Sequence, residues 1–299
     1  MSDLTPSPAA QAESAASFEP HRRHLMAIAY RMLGSVSEAE DAVQEAYLRW
    51  HQADRAKVSE PRAFLSRVVT RLCLDQLKSA RSRRETYVGP WLPEPVLEAS
   101  PLDADTASDY AHDLSVALML TLERLSPLER AAFLLHDVFE VDFADIAATL
   151  DRNEAAVRQL AARGRAHVRA ARPRFHPTDA ETARIVEAFR KASESGNPAL
   201  LAAFLADDAV MVTDGGGKRT AALVPIEGAN NIVRLLEAIR RNVPPGEFRL
   251  RDATVNGMPG FILAEPTGGI QTVALDINGG KITAIYVVRN PDKLTRVAF

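Results

Sequence analysis

The chain has 299 residues, of which 46% are hydrophobic and 25% charged, and its formal net charge is −3. This composition is typical of a soluble protein with two or three domains, and the net charge gives no general sign of nucleic-acid binding. The single cysteine, Cys73, excludes an internal disulfide. Residues 1–17 lack the features of a secretion signal, and no apolar run approaches the roughly 20 residues of a membrane span. We therefore expect a cytoplasmic protein with a disordered tail over residues 1–17 and no membrane association.

Residues 18–85 have a helical pattern throughout, which predicts an all-α domain. Apolar residues recur at helix spacing up to Gly34, and Ser37 and Glu40 have the spacing of a capping box that starts a second helix. Pro61 stands at the start of a third helix. The basic residues of this third helix avoid its apolar stripe, and they are Arg62, Arg67, Arg71, Lys78, Arg81, Arg83 and Arg84. Such a cationic face supplies salt-sensitive affinity for phosphates.

Residues 86–113 differ in composition from the helical segments on either side. They contain four prolines, and their charged residues are all acidic. Proline density combined with like charges is typical of an extended linker rather than a packed element. We predict an acidic, proline-containing linker over this range.

Residues 114–174 predict a second helical domain that ends in a helix-turn-helix. Ser126 and Glu129 form a capping box. A short helix over 142–150, with Phe143, Ile146 and Leu150 on one apolar stripe, is followed by a three-residue break and a longer helix from Glu154. This arrangement can lay the second helix into a major groove, where Arg and Gln pair with guanine and adenine. The candidate readers are Arg158, Gln159, Arg163 and Arg165. The alternative for this segment alone is a solvated, arginine-rich helix.

Residues 178–299 predict an α+β domain. Two helices, a strand over 209–213 and a third helix precede four apolar-alternating runs. The predicted turns between these runs are Asn256-Gly257, Thr267-Gly268-Gly269 and Asn278-Gly279-Gly280. This order is typical of a curved antiparallel sheet wrapped around a helix, with a pocket between them. The whole chain is therefore expected to be multidomain, with all-α domains followed by an α+β domain.

A catalytic role for the last domain is disfavoured. The last histidine, His176, precedes the domain, so the carboxylates Asp214 and Asp276 have no imidazole partner in its sequence. The run Asp214-Gly215-Gly216-Gly217-Lys218 lacks the length of a phosphate-binding loop and fits a hairpin turn. Its glycines nevertheless allow another backbone to approach, so we expect it to contact the linker or the helical domains. We expect no catalytic residues, no metal site and no cofactor.

The segment Asp41-Ala42-Val43-Gln44-Glu45-Ala46-Tyr47-Leu48-Arg49 resembles the signature helix of sigma domain 2 in bacterial extracytoplasmic-function sigma factors. Residues 126–172 are similar to sigma domain 4 of the same family, so the resemblance covers residues 18–174. It implies that Asp41, Gln44, Glu45 and Arg49 face core RNA polymerase. It also implies that the basic residues of 62–84 meet the minus-ten region, that the loop 51–58 captures a flipped base, and that the helix from Glu154 reads the minus-thirty-five element.

Three further motifs resemble one subgroup of that family, in which a SnoaL-like domain is fused behind domain 4. They are Trp91-Leu92-Pro93-Glu94-Pro95, Asp214-Gly215-Gly216-Gly217-Lys218 and Asn290-Pro291-Asp292-Lys293-Leu294. The resemblance implies that the fused domain regulates the sigma factor in place of a separate anti-sigma protein. The expected partners are core polymerase, double-stranded promoter DNA and the melted minus-ten strand, with an unidentified small molecule as a further candidate ligand. For the free protein we expect a compact form with the last domain packed on domain 2 or on the linker.

The competing hypothesis is a helix-turn-helix regulator with a ligand-binding or catalytic SnoaL-like domain. It predicts a dimer and a palindromic operator. DNA binding in the absence of polymerase would distinguish the two, because free sigma factors of this family generally bind promoters poorly.

Overall fold

The structure is a computed structural model, and it describes residues 8–97, 113–171, 179–195, 198–241, 249–265 and 269–299. The chain divides into two compact units. Among the described residues, those within 1–82, 100–113 and 121–170 belong to the first unit, and those within 83–99, 114–120 and 171–299 belong to the second. The expected order, helical domains followed by an α+β domain, is confirmed.

The first part of the chain is helical. Its helices are α1 Pro8–Leu33, α2 Val36–Gln52, α3 Pro61–Glu85, α4 Val116–Glu123, α5 Pro127–Phe133, α6 Phe143–Leu150 and α7 Glu154–Ala171. A 3₁₀ turn at Arg55–Lys57 follows α2, and a π-helical turn at Leu134–Val138 follows α5. The π-helical turn has no signal in the sequence.

The prediction of a disordered tail is wrong from Pro8 onward, because α1 begins there. Ser14 and Phe18 are fully buried, and the indole Nε1 of Trp50 donates a hydrogen bond to the Ser17 hydroxyl at 3.0 Å. The ring of Phe18 also packs edge-on against Tyr47, at 5.2 Å between centroids. These contacts with α2 stabilise a segment whose own small, polar residues give no helical signal. Residues 1–7 of the predicted tail lie outside the described residues.

The start of α2 also differs from the prediction. Gly34 has φ 71° and ends α1, and Ser35 rather than Ser37 is the N-cap, with its hydroxyl accepting from the Glu38 amide at 3.3 Å. The left-handed glycine leaves a single extended residue before the next helix, so the cap falls two positions earlier. The capping box of Ser126 and Glu129 is confirmed at the start of α5.

The helix-turn-helix is formed as predicted. Asp151 ends α6 in a left-handed conformation with φ 53°, and the Asn153 side chain accepts a hydrogen bond from the Ala156 amide at 2.8 Å at the start of α7. Asp142 holds the N-cap position of α6, but its side chain makes no cap hydrogen bond. Ile146, Leu150, Val157 and Val168 form the buried side of the two helices.

The second unit contains helices and one six-stranded sheet with the strand order β2-β1-β6-β5-β4-β3. Its helices are α8 Asp179–Ser195, α9 Pro198–Phe204 and α10 Ala229–Arg241, and its strands are β1 Leu205–Asp214, β2 Ile226–Glu227, β3 Arg249–Val255, β4 Met258–Ala264, β5 Ile270–Asn278 and β6 Lys281–Val288. β1 pairs in parallel with β6, and the other pairs are antiparallel. The four predicted runs are confirmed as β3 to β6. The predicted turn at 267–269 falls partly outside the described residues.

Both faces of this sheet are apolar and covered. One face packs Phe261 and Ile285 against Phe189 of α8 and Ile232 of α10. On the other face, a second cluster is formed by Leu92, Val116, Val255, Met258, Ile262, Ala274, Ala284, Tyr286, Val288, Leu294 and Val297. The second cluster therefore includes one residue from the linker and one from α4.

The described part of the linker is not extended into solvent as predicted. Residues 92–96 are buried, and the described residues 83–97 and 114–120 cluster with the second unit. The physical reason is that an apolar sheet face must be covered, and Leu92 and Val116 contribute to its cover. The acidic residues between 98 and 112 lie outside the described residues.

Within the described ranges, no helix combines the length and the apolar character required to cross a membrane.

Gly164 is required where α7 crosses α5. A Cβ at this position would lie 2.8 Å from the Cβ of Phe133 and 3.2 Å from the Glu129 carbonyl oxygen. We predict that Gly164→Ala lowers the free energy of unfolding by about 1–3 kcal/mol, because the overpacking outweighs a helix-propensity gain of about 1 kcal/mol. Urea denaturation measures this, with exposed Ala166→Gly as the control for propensity alone; a stabilised Gly164→Ala variant would contradict the close approach.

Candidate functional site

The residues predicted to face polymerase lie on the outer side of α2. Asp41, Gln44 and Arg49 are exposed and Glu45 is half-buried, whereas the opposite side of the helix is buried. Arg49 Nε donates to the Glu45 carboxylate at 3.0 Å, and Leu48 beside them is 45% exposed. The helix therefore presents a mixed charged and apolar surface, which is suited to binding another protein.

The basic residues of α3 divide into different environments. Arg62 is exposed beside His24, with 3.2 Å between Nη2 and the imidazole Nδ1, and Arg67 is half-buried. Lys78 pairs with Asp75 at 2.8 Å on the exposed surface. Arg71 instead donates to main-chain carbonyls of α6. The side chains of Arg81, Arg83 and Arg84 lie outside the described residues.

His24 does not add a positive charge to this surface. It is buried, and its Nε2 lies 3.0 Å from the Ser66 hydroxyl. Burial, with further contributions from the Arg62 and His21 charges, lowers the pKa of His24 to about 3, so the ring is neutral at pH 7. Together with Arg62 and Arg67 it lines a cavity of about 240 Å³ between α3 and the segment that leads into α6.

The candidate DNA readers on α7 also differ in their surroundings. Arg158 and Gln159 are exposed near the start of the helix. Arg163 is also exposed, but its Nε lies 3.0 Å from the Glu129 carboxylate, and the half-buried Arg165 pairs with Asp137 of the π-helical turn. The Ser126 hydrogen bond is the main cause that lowers the pKa of Glu129, so the Arg163 pair is ionised at pH 7. These two arginines therefore hold α7 in place within its own domain.

The three subgroup motifs meet around the carboxylate of Asp214. This residue ends β1 and is fully buried. The Tyr87 hydroxyl donates to its Oδ1 at 2.6 Å, and the Leu92 amide donates to its Oδ2 at 2.9 Å. Burial and the Asp214 hydrogen bond raise the pKa of Tyr87 well above its usual range, so the phenol is a neutral donor at pH 7.

Lys293 completes this site. Its ammonium donates to Asp214 Oδ2 at 2.7 Å and to the Leu92 carbonyl. The same group lies over the rings of Tyr87 and Trp91, at 5.0 and 4.3 Å from their centroids. The Lys293 ammonium thus binds the buried carboxylate, the linker backbone and two linker aromatic rings. These partners replace the water that surrounds the ammonium of an exposed lysine.

The glycine-rich loop contacts the linker through its glycines. A Cβ on Gly216 would collide with the Asn290 amide and lie 3.0 Å from the Tyr87 hydroxyl, and a Cβ on Gly217 would lie 3.2 Å from Val88. Both glycines have positive φ, 57° and 71°. Lys218 instead pairs with Asp292 at 2.6 Å, and both side chains are more than half exposed. The close approach therefore depends on the glycines rather than on the lysine.

Further contacts hold the rest of the linker. Glu94 is 4% exposed and accepts from Arg296 at 2.9 Å. Val96 and Asn256 exchange two hydrogen bonds, at 2.7 and 3.2 Å, and Leu97 forms an isolated antiparallel bridge with Val255 of β3. The linker therefore docks at the end of an edge strand by main-chain pairing.

Sequence reasoning missed several residues of this site. Tyr87, Asn256 and Arg296 lie outside the three motifs, although each contacts a motif residue or its neighbour. The only sequence signal was an aromatic residue four positions before Trp91 in a proline-containing linker. The asparagine was interpreted only as a turn residue, which it is, with φ 52°.

Comparisons with known proteins give consistent matches along the chain. The family models Sigma-70 region 2, Sigma-70 region 4 and SnoaL-like domain match residues 18–83, 115–168 and 186–297. The ECF RNA polymerase sigma factor SigJ of Mycobacterium tuberculosis is 41% identical over 292 residues, covering 93% of this chain and 92% of that protein. A probable ECF RNA polymerase sigma factor, SigI, of the same species is 32% identical, covering 93% and 94%. The crystal structure of M. tuberculosis SigJ superimposes with a TM-score of 0.75 at 37% identity, covering 94% of this chain and 98% of that one.

We predict that Lys293→Met lowers the free energy of unfolding by about 3–5 kcal/mol, because it leaves the fully buried Asp214 carboxylate without its cation. Thermal and urea denaturation of the whole chain measure the change. Lys218→Met is the matched control, since its exposed ion pair contributes about 0–1 kcal/mol. Equal effects of the two substitutions on the free energy of unfolding would show that the buried pair contributes no more to stability than the exposed pair.

Proposed function

Because the chain belongs to the extracytoplasmic-function (ECF) RNA polymerase sigma factors and carries a fused SnoaL-like domain, we propose that this domain inhibits initiation by capturing the linker between the two sigma regions. As an ECF sigma factor, the chain binds core RNA polymerase and directs promoter-specific transcription initiation. The observation that carries the proposal is the burial of the linker around Asp214 and Lys293. The backbone of Leu92 is bound there through both its amide and its carbonyl.

The outer side of α2 is the surface that we assign to core polymerase. Asp41, Gln44, Glu45 and Arg49 occupy one side of the helix over two turns, and Leu48 adds exposed apolar area among them. Protein interfaces combine an apolar centre with a polar rim, and this arrangement fits that pattern. We propose the cytoplasm as the compartment, since core polymerase acts there.

Promoter DNA is assigned to α3 and α7. The exposed cations of α3 supply phosphate contacts near the minus-ten region, and the loop 51–58 lies at the adjacent end of α2, where it can receive a flipped base. On α7, Arg158 and Gln159 are the proposed base readers of the minus-thirty-five element, because they are exposed near its start. Arg163 and Arg165 are assigned mainly a structural role, since their carboxylate partners lie on α5 and on the π-helical turn. The carboxylate partner of Arg158, Glu154, lies on α7 itself.

Capture of the linker competes with its use in the holoenzyme. The resemblance to the family implies that this acidic segment threads toward polymerase channels that hold nucleic acid, where a polyanionic strand suits surfaces built for phosphates. In the captured form, Glu94 is bound to Arg296 and the main chain of Val96 is paired with Asn256. The same groups cannot line a polymerase channel at the same time, so release of the linker precedes or accompanies productive binding.

A regulatory signal acts on this equilibrium only if it binds one form more tightly than the other. A small molecule or a protein contact that favours the released form meets this condition. We assign the domain no catalytic role, because the Asp214 carboxylate is occupied by Tyr87, Leu92 and Lys293.

Run-off transcription with bacterial core polymerase, on the upstream region of the chain's own gene, tests the inhibition. We expect Arg296→Glu to raise initiation about three- to ten-fold at limiting sigma factor, because it places a like charge beside the buried Glu94. Adding Glu94→Arg to this variant restores the opposite-charge pair and is expected to return initiation toward the wild-type level.

Lys218→Glu is the matched control, because it reverses an exposed charge pair of the same domain. We expect it to change initiation less than two-fold. A decrease of initiation in Arg296→Glu, in a chain that melts as cooperatively as wild type, would show that capture assists initiation and would overturn the proposed inhibition.

A further inference from the structure

The first residue of α6, Phe143, contacts two planar side chains. The guanidinium of Arg158 lies over its ring at 4.4 Å from the centroid, and the imidazole of His136 is stacked on it at 3.9 Å with an interplanar angle of 29°. The phenyl ring therefore contacts both the imidazole and the guanidinium.

The imidazole and the guanidinium each make a further hydrogen bond. The Nδ1 of His136 lies 3.1 Å from the Val141 carbonyl oxygen, and Arg158 Nη2 donates to the Glu154 carboxylate at 2.9 Å. Phe143 is only half-buried, so it is not the simple core residue that its place on the apolar stripe predicts. Its ring instead supports an arginine that is 57% exposed.

An arginine that is oriented before binding has an advantage in base recognition. Bidentate pairing with guanine requires the guanidinium plane to match the base edge, and a free arginine loses much rotamer freedom on adopting that geometry. A guanidinium fixed over Phe143 and tied to Glu154 has lost part of this freedom already.

We propose that Phe143 is a positioning residue for promoter recognition, holding Arg158 ready to pair with a guanine of the upstream promoter element. This inference rests on the proposed assignment of α7 to that element. Phe143 is given no base contact of its own.

A promoter library with a randomised minus-thirty-five element, transcribed with core polymerase and the full chain, tests the positioning role. We expect Arg158→Ala to remove the preference for guanine at one position, and Phe143→Leu to weaken it about five- to ten-fold at the same position only. Phe143→Tyr keeps the aromatic stack and is expected to retain the preference. Leu150→Met, at a 6% exposed position of the same helix, is the control for packing changes, and it should leave the profile unchanged.

The outcomes distinguish the role of Arg158 as a base reader from the role of Phe143 as a positioning residue. A wild-type profile that Arg158→Ala leaves intact would contradict the assignment of Arg158 as a reader, and the positioning role would fall with it. Loss of one preference in Arg158→Ala, with an unchanged profile in Phe143→Leu, would overturn the positioning role alone. An equal loss at all positions in Phe143→Leu would indicate a structural role.

A second and independent observation concerns the two sigma regions, which lie in the same compact unit. Arg71 of α3 donates to the Thr149 and Ala148 carbonyls in the last turn of α6, at 3.0 and 2.9 Å. In the opposite direction, Arg130 of α5 donates from Nε to the Arg31 carbonyl in the last turn of α1 at 2.9 Å. Each region thus binds a helix C-terminus of the other with an arginine.

These contacts are physically favourable. The last carbonyls of a helix have no intrahelical partner and carry the negative end of its dipole, so they attract cations. Arg130 is 2% exposed and is also paired with Glu123. Burial lowers the pKa of Arg130 to about 9, so it remains charged at pH 7. Phe139 adds an edge-on contact with the His24 ring at 5.2 Å.

The same contacts are incompatible with simultaneous binding of both promoter elements. The two elements are about 25 base pairs apart, which corresponds to roughly 85 Å of duplex. Arg71 touches α6, and α6 is joined to α7 by a three-residue turn. If α3 binds one element while α7 binds the other, the contact between Arg71 and α6 must therefore break.

We infer that Arg71 is the exposed half of a latch that closes the two sigma regions on each other in the free protein. When the regions separate, its guanidinium is released from the α6 carbonyls and becomes available for DNA phosphate. The residue thus exchanges one set of oxygen acceptors for another.

Distance measurement in the full chain without polymerase or DNA tests the latch. Spin labels on cysteines at the exposed positions Gln52 and Ala166 report the separation of the two regions, since the native Cys73 is fully buried. We expect Arg71→Met and the charge-retaining Arg71→Lys to broaden the distance distribution toward longer values. Lys78→Met removes one charge from the same helix without touching α6, and it should leave the distribution as in wild type.

An unchanged distribution in Arg71→Met would overturn the latch. If Lys78→Met broadened the distance distribution as much as Arg71→Met, the latch would also be overturned, because a general loss of charge would then explain the opening. The readout involves no promoter, so it is independent of how DNA is assigned to α3 and α7.

Discussion

The second unit depends on how the buried charge of Asp214 is satisfied. A carboxylate with no solvent contact is costly unless a cation and hydrogen-bond donors surround it. Lys293 supplies the cation from the C-terminal segment, whereas Tyr87 and the Leu92 amide supply donors from the linker. Two of the three partners therefore belong to a segment outside the SnoaL-like domain. The ion is fully satisfied only while the linker is in place, so the stability of this domain and the capture of the linker are energetically coupled.

The same chemistry recurs in both units, where side-chain cations bind main-chain carbonyls. Lys293 binds the carbonyl of Leu92, Arg71 binds carbonyls of α6, and Arg130 binds the carbonyl of Arg31. A carbonyl acceptor does not depend on the identity of its own side chain. Such contacts are reversible and moderate in strength, which suits the proposed opening.

This chemistry also explains what the sequence could and could not predict. Periodicity and capping residues located the helix-turn-helix, the Ser126 capping box and the strands β3 to β6, since these depend on local preferences. The helical segment before Phe18 is stabilised by the distant Trp50, and the hydrogen bonds of Arg71 go to carbonyls that no sequence pattern marks. The three motifs were identified from their resemblance to a family, but their convergence on Asp214 was not. It required the topology of the sheet, which places the end of β1 beside the segment that follows β6.

The docking of the linker on β3 has a further consequence for the released form. β3 is the edge strand of the sheet, and the segment around Leu97 occupies its end through the bridge to Val255. Release exposes unpaired main-chain groups at this edge, together with the apolar face that Leu92 covers. An exposed edge beside an apolar face is a template for self-association. In the proposed mechanism, the released form therefore has a solubility cost, which is smallest when polymerase takes up the linker at the moment of its release.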